Sequence, residues 1–317
     1  MKAMRYTRYG GPEVLQLVDL PEPTPEAGEI VLRVRACSVN SWDWDKLRGR
    51  PLVLRLEGPR RPPHPILGCD VAGEVVAVGP GVTRFAPGDR VFGDISHANW
   101  GGFAEFVKAP ADALSPLTLP FDQGAALPQA GGLALQGLRQ GGLRKGARVL
   151  INGAGGGVGT LGVQIAKAAG AHVTCIDRGD KLEMLRDLGA DAVIDYQRTD
   201  FTEMGEVWDV ILDNVAKNRP RAYRQALAPG GRFIFVGGSF VLAFRLGLTG
   251  WALNRGDRRL EMLLHHPDTA VTDRLQDMVR DGDLTPVIDQ SYSLSETPAA
   301  LARIGRGDVR GKIIVTP

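Results

Sequence analysis

Up to about residue 120, apolar positions alternate with polar ones in short runs cut by Gly and Pro. "EIVLRVRACSV", "AGEVVAVG", "GDRVFG" and "GFAEFV" carry the period of two expected of half-buried strands. Together they predict a twisted antiparallel or barrel-like sheet. "EGPRRPPHP" (57–65) is a proline-rich connection with little regular structure open to it. From Arg148 the rhythm changes. "RVLIN", "HVTCID", "AVIDY", "VWDVILDNV" and "RFIFVGG" are short apolar runs, separated by the helical patterns "GTLGVQIAKAAGA", "KLEMLRDLGA" and "RAYRQALAPGG". Buried strands alternating with helices predict an α/β fold with a doubly wound parallel sheet. "DRLQDMVRDGDL" adds a helix, and "GKIIVTP" closes as a strand returning to the first domain. The expected division is residues 1–122, with 266–317 returning to them, and residues 123–265.

Composition narrows the function classes. A chain of 317 residues, 44% hydrophobic and 23% charged, has material for two cores and reads as globular. Lys plus Arg number 38 against 36 acidic residues, and a net charge of +2 makes no case for nucleic acid. Apolar stretches break well short of the ~20 residues that span a bilayer, and no secretion signal is read at the start. No membrane partner is therefore expected. The cysteines are three and far apart, Cys37, Cys69 and Cys175. That is no disulfide framework, and it fits a reducing cytoplasm.

The richest motif is "LINGAGGGVGTLG", a glycine loop between a strand and a helix. In dinucleotide-fingerprint register, Ala154, Gly156 and Gly159 hold the three glycine positions, with Gly157 and Val158 between. Gly156 lets the backbone approach a pyrophosphate, which meets the N–H groups of the helix start, and Gly159 lets helix and strand pack closely. Ala154 departs from the strict pattern. Asp177, ending the next strand, suits the ribose hydroxyls of NAD(H). Arg178 and Lys181 beside it suit the 2′-phosphate of NADP(H) instead. The reading favours NAD(H).

These residues, with "VRACSVNSWDW", "PILGCDVAGEVVAVGPGVTRFAPGDRVFG", "AALPQAGGLALQGL" and "LGADAVIDY", resemble the medium-chain dehydrogenase/reductase superfamily in its zinc-free quinone oxidoreductase branch. The resemblance runs through essentially the whole chain. It implies a GroES-like catalytic domain, a Rossmann-type cofactor domain and an active site in the cleft between them. In zinc-dependent relatives a Cys, a His–Glu pair and a second Cys surround the metal. Those positions fall here at Asn40, at Cys69–Asp70 and near Gln129. One soft ligand, one carboxylate and two amides make a poor zinc site, so no metal is expected. The five histidines show no paired ligand spacing. His97 is the one weighed as a catalytic group.

Without a metal to stabilise an alkoxide, hydride delivery from reduced nicotinamide to a quinone or an α,β-unsaturated carbonyl is the favoured chemistry. The alternatives on this scaffold are a zinc-free enoyl or carbonyl reductase, or a cofactor-binding protein without turnover. Asn40 is the expected donor to the growing oxyanion. Asp43 matches a family position and is expected to hold the loop. Trp42 and Trp44 are expected either to wall the acceptor pocket or to pack the core, and Leu133 stands where relatives place a Thr near the nicotinamide. Asn214 in "DNVAKN" and Val236, Gly237 and Gly238 match loops passing the nicotinamide. Tyr196 matches a position near the 2′-phosphate in NADPH-using relatives. The segment 239–259 lines the acceptor pocket or a subunit contact. A homodimer is expected through the strand and apolar segment around "RFIFVGGSFVLAF".

Overall fold

The structure, a computed structural model, describes all residues but Asn99 and Arg255, and the backbone alone of Thr249, Trp251 and Ala252. Two compact units emerge. The first comprises residues 1–129, 267–280 and 288–317, and the second comprises 130–266 and 281–287.

The first unit is built on β1 (Lys2–Arg5), β2 (Gln16–Asp19), β3 (Glu29–Val39), β4 (Asp70–Val78), β5 (Arg90–Asp94), β6 (Phe106–Pro110) and β7 (Ser115–Pro116). The second holds β8 (Arg148–Asn152), β9 (His172–Asp177), β10 (Ala192–Asp195), β11 (Trp208–Asp213), β12 (Leu227–Phe235) and β13 (Arg259–Met262). The chain then returns to the first unit with β14 (Ile288–Ser293) and β15 (Lys312–Thr316).

Seven strands of the first unit form one sheet in the order β14-β15-β3-β4-β5-β7, with β6 also on β3. Its ladders are antiparallel except β14–β15. The expected closing strand is thus β15, paired with β3. Alternation on β3 buries Ile30, Leu32 and Val34, and past the irregularity between Val34 and Ala36 also Cys37, in a core shared with Val71, Val75, Phe103 and Ile313. "GFAEFV" enters the sheet later than its pattern suggests, at Phe106.

The second unit's six strands run in the order β10-β9-β8-β11-β12-β13, every neighbouring pair parallel. Chain order reverses between β8 and β11. Ligands of open α/β sheets bind at such a switch, beyond the carboxyl ends of the strands. Asn152 and Asp213 end those two strands side by side. "RAYRQALAPGG" makes a shorter helix than its pattern predicts, Pro220–Gln225, because Leu227 already belongs to β12. The apolar segment after "VGG" becomes a helix, Phe240–Leu253, on which Phe240, Val241, Phe244 and Leu248 remain exposed.

Candidate active site

In the first unit, strand register assembles a buried polar cluster. Ser38 on β3 pairs with Asp70 on β4, and Asp70 with Asp94 on β5. On the other side of β3, Ile314 pairs with Ser38 and Ile313 with Val39. One step further along, Lys312 comes level with Asn40. Asp70 and Ser38 are fully buried, Lys312 is 2% exposed and Asn40 7%. The Lys312 ammonium donates to Asn40 Oδ1 at 2.6 Å and stands 3.5 Å from Asp70 Oδ2. Asn40 Nδ2 donates to Asp70 Oδ2 at 3.0 Å and to Cys69 Sγ at 3.5 Å. Ser38 Oγ donates to the same Oδ2 at 3.0 Å, and the Gln129 backbone N–H to Oδ1 at 3.0 Å.

In this arrangement Asn40 is hydrogen-bonded through both of its side-chain polar atoms. Both of its amide hydrogens are committed inside the cluster, so it is not presented as an unattached donor. Asp43 lies at the third position of the helix Ser41–Arg48, fully buried. Its carboxylate accepts from the backbone N–H groups of Asn40 (2.7 Å) and Gly68 (2.8 Å), tying the helix start to the strand that brings Asp70. Gly68 has φ +90°, and a Cβ there would meet Cys37 Sγ and Phe103 N at 2.8 Å. Burial raises the Asp43 carboxyl to about 7, against the pull of those two backbone donors.

Cys69, Asp70 and Asp94 place a thiol and two carboxylates within 4.8 Å of one another. Asp94 was not among the expected ligands. As a donor set the three suffice for zinc in number, yet the cluster does not fit a divalent ion as it stands. Burial, then the neighbouring carboxylates of Asp70 and Asp94, pushes the Cys69 thiol well up, away from the thiolate a metal needs. Cys69 Sγ already accepts from Gln129 Nε2 at 3.3 Å, Asp94 Oδ1 from the Ser96 N–H at 2.8 Å, and both Asp70 oxygens are taken. The Lys312 charge opposes a second cation beside it.

A Cβ at Gly305 would lie 2.4 Å from the Trp44 ring, and the Arg48 guanidinium covers it at 4.8 Å, so it packs the helix Thr297–Arg306 against the core. Trp42 meets Trp100 edge to face at 5.8 Å. Trp100, missed in the sequence, combines φ +56° with a buried Nε1 that has no hydrogen-bond partner. His97 is exposed on a turn.

In the second unit the glycine loop leads from β8 into the helix Gly157–Ala168. Gly153, not Ala154, takes the left-handed turn (φ +73°), which is how Ala154 is tolerated. A Cβ on Gly159 would lie 2.4 Å from Ala154 Cα, so helix and loop touch backbone to backbone. Gly156 caps the helix with no side-chain bond, leaving the first-turn N–H groups of Gly157, Val158 and Gly159 to face whatever lies beyond. Beside Gly153, the buried Asn214 Oδ1 has no hydrogen-bond partner. An open helix start with an orphaned acceptor next to it fits a ligand carrying phosphates and hydroxyls.

Asp177 is turned into this loop and is 7% exposed. Its Oδ2 accepts from Gly155 N–H at 2.7 Å, its Oδ1 from Arg178 N–H at 2.8 Å, and Lys181 Nζ stands 3.5 Å from Oδ1. Arg178 holds Asp180 through two bonds, 2.6 and 3.1 Å. Tyr196 is 47% exposed, with Lys217 Nζ 5.3 Å from its ring centroid. Asn152 Nδ2 and Tyr223 Oη both donate to Asp213, which fixes the ends of β8 and β11. The Val236 and Gly237 N–H groups bond Asp213 O, and Gly238 (φ +126°) leaves only 2.3 Å between a hypothetical Cβ and Ala216 O. Leu133 is half-buried on the helix Pro128–Gln140.

Comparison with known proteins agrees with both units. Residues 26–119 match the family model "Alcohol dehydrogenase GroES-like domain", and 188–315 match "Zinc-binding dehydrogenase". The chloroplast envelope quinone oxidoreductase homolog of Arabidopsis thaliana is 34% identical, over 100% of this chain and 98% of its own. The 2-methylene-furan-3-one reductase of Solanum lycopersicum is 30% identical, over 100% and 79%. The solved quinone oxidoreductase from Coxiella burnetii superposes with a TM-score of 0.91 at 30% identity, over 100% and 99%.

The Asp43 bridge yields a signed expectation. Its folded pKa of about 7 lies above the ordinary 3.8, so the native state binds the extra proton between those values. The stability this contributes is complete below pH 3.8 and lost as pH rises to 7. Asp43→Asn should lower the melting temperature, at a cost of about 1–3 kcal/mol for a mispaired buried donor. Chemical denaturation from pH 4 to 7 should show wild type losing stability relative to the variant. A pH-independent difference overturns this.

Proposed function

The chain belongs to the medium-chain dehydrogenase/reductase superfamily, in its quinone oxidoreductase branch, and from that premise we propose an NAD(P)H-dependent reductase of quinones and α,β-unsaturated carbonyls. The observation that carries the cofactor half is the open helix start at Gly156 beside the orphaned Asn214 Oδ1. When bound, reduced nicotinamide supplies hydride to an acceptor that already contains an electron sink. The chain's own residues bind and orient. The N–H groups of Gly157, Val158 and Gly159 receive the pyrophosphate, Asn214 takes a hydroxyl or amide donor, and the Val236–Gly238 turn offers backbone groups to the carboxamide. On the acceptor side, the Asn40–Asp70–Lys312 cluster supplies fixed dipoles and charge, with Asp43 holding Asn40 in place.

The enzyme works without zinc in this reading, because the Cys69–Asp70–Asp94 set is already satisfied by protein donors. The deciding assay is NAD(P)H oxidation with a panel of quinones and enones, on protein whose metal content has been measured. Turnover should survive chelators, with zinc far below one per chain. Activity lost with stoichiometric zinc overturns the metal-free reading, and no turnover with any acceptor overturns the enzyme.

NADH is the preferred cofactor. The two cations able to grip a 2′-phosphate are each bound to a carboxylate, Arg178 to Asp180 and Lys181 to Asp177. Asp177→Ala releases Lys181 and should narrow the preference for NADH by on the order of tenfold, about 1.4 kcal/mol. Titration showing tighter NADPH binding by wild type reverses the assignment.

A homodimer is supported by the edge position of β13 and the exposed apolar face of the helix Phe240–Leu253. Part of segment 239–259 lies outside the described residues. Light scattering at micromolar concentration should give twice 34.1 kDa, and the single-chain mass counts against it. Three separate free cysteines, all buried, support a reducing cytoplasm, and among the described residues no helix is long and apolar enough to cross a membrane.

A further inference from the structure

Lys312 has no part in the expectations drawn from the sequence, yet it is the one cation bonded into the polar cluster among the described residues. Its side chain is 2% exposed, its ammonium bonds Asn40 Oδ1 at 2.6 Å and stands 3.5 Å from the fully buried Asp70. A buried carboxylate stays charged only with a countercharge and hydrogen bonds. Here three donors and one ammonium supply them. Two further ligand-type side chains, Cys69 and Asp94, lie within 4.8 Å of the same carboxylate. A thiol and two carboxylates at that spacing would hold a zinc-like ion if nothing else supplied positive charge.

We infer that Lys312 is the resident cation of this cluster: its ammonium takes the charge of Asp70 and the oxygen of Asn40, and so excludes a divalent metal from the Cys69–Asp70–Asp94 set. The inference rests on the metal-free reading above and names the residue that enforces it. Removing the ammonium leaves Asp70 buried with no countercharge bonded to it. A divalent ion then supplies the missing positive charge, and it binds Cys69 as the thiolate by displacing the thiol proton to solvent.

The test is Co²⁺ titration of chelator-treated wild type, Lys312→Met and Lys312→Gln, read by absorption and by melting temperature. Wild type should show no thiolate-to-cobalt band and no Co²⁺-dependent shift in melting. Both variants should gain the band at one Co²⁺ per chain, melt higher with the ion, and lose the band when Cys69→Ser is added. Their affinity should exceed that of wild type by on the order of 100-fold, the upper scale for a change beside a metal site. Folded variants that bind no better than wild type overturn the inference and leave the metal-free reading standing. A Cys69-dependent band in wild type overturns both. If neither variant folds alone, refolding in Co²⁺ decides: recovered cooperative melting with the band supports the inference, and failure in both variants overturns it.

Discussion

A carboxylate sealed from water has to be matched where it stands, and Asp70 sets that requirement for the first unit. Its side chain is fully buried, and burial alone would drive it toward the neutral acid. Its carboxyl stays raised by burial, with Lys312 pulling the other way, and the donors from Ser38, Asn40 and Gln129 complete its shell. Each partner arrives on a different element: β3, the turn after it, the residue before the second unit, and β15. The pairing of β15 with β3, the capping of the helix Ser41–Arg48 by Asp43 and the tight turn at Gly68 all serve the same geometry. A slip of one residue in any of these ladders would carry Ser38 or Lys312 to the opposite face of the sheet.

The second unit uses carboxylates differently. Asp177 and Asp213 end two of its parallel strands and hold backbone instead of a cation alone. Asp177 grips the N–H of Gly155, and Asp213 the N–H of Val215 together with the side chains of Asn152 and Tyr223. The loops beyond the strands are therefore rigid before any ligand arrives, which lowers the ordering cost of binding. Gly153, Gly159 and Gly238 are the points where that rigidity needs backbone without a side chain.

Most of the second unit was legible in the sequence because its signals are local. Strand runs such as "RVLIN" and "HVTCID" match β8 and β9 residue for residue, and the glycine loop falls where the strand–helix pattern places it. Orientation was less legible. The pattern places Asp177 at a strand end, but nothing local in it shows that the carboxylate accepts from the Gly155 N–H and stands beside Lys181. The first unit's cluster was half visible. Asn40, Cys69 and Asp70 stood out from the resemblance, but Asp94 and Lys312 are joined to them only by register between separate strands. No periodicity in one strand reveals which residue of another lies opposite. Trp44 stayed open between pocket wall and core because an aromatic near a loop looks alike from either side. The glycine that seats it, Gly305, lies on a helix near the far end of the chain.

Asn40 and Lys312 are 272 residues apart, with the whole parallel sheet of the second unit emerging from synthesis between them. While the chain is being made, the end of β3 at Cys37–Val39 waits for β15, and Asp70 waits without its ammonium. Contacts of such sequence separation form late, since the chain between them must be ordered or looped before they reward the fold. Until β15 arrives, the nascent first unit exposes an unpaired strand edge and carries an unmatched acid in its interior, the condition in which incomplete domains associate wrongly. The order in which this chain presents its strands thus leaves the matching of that acid to its last strand.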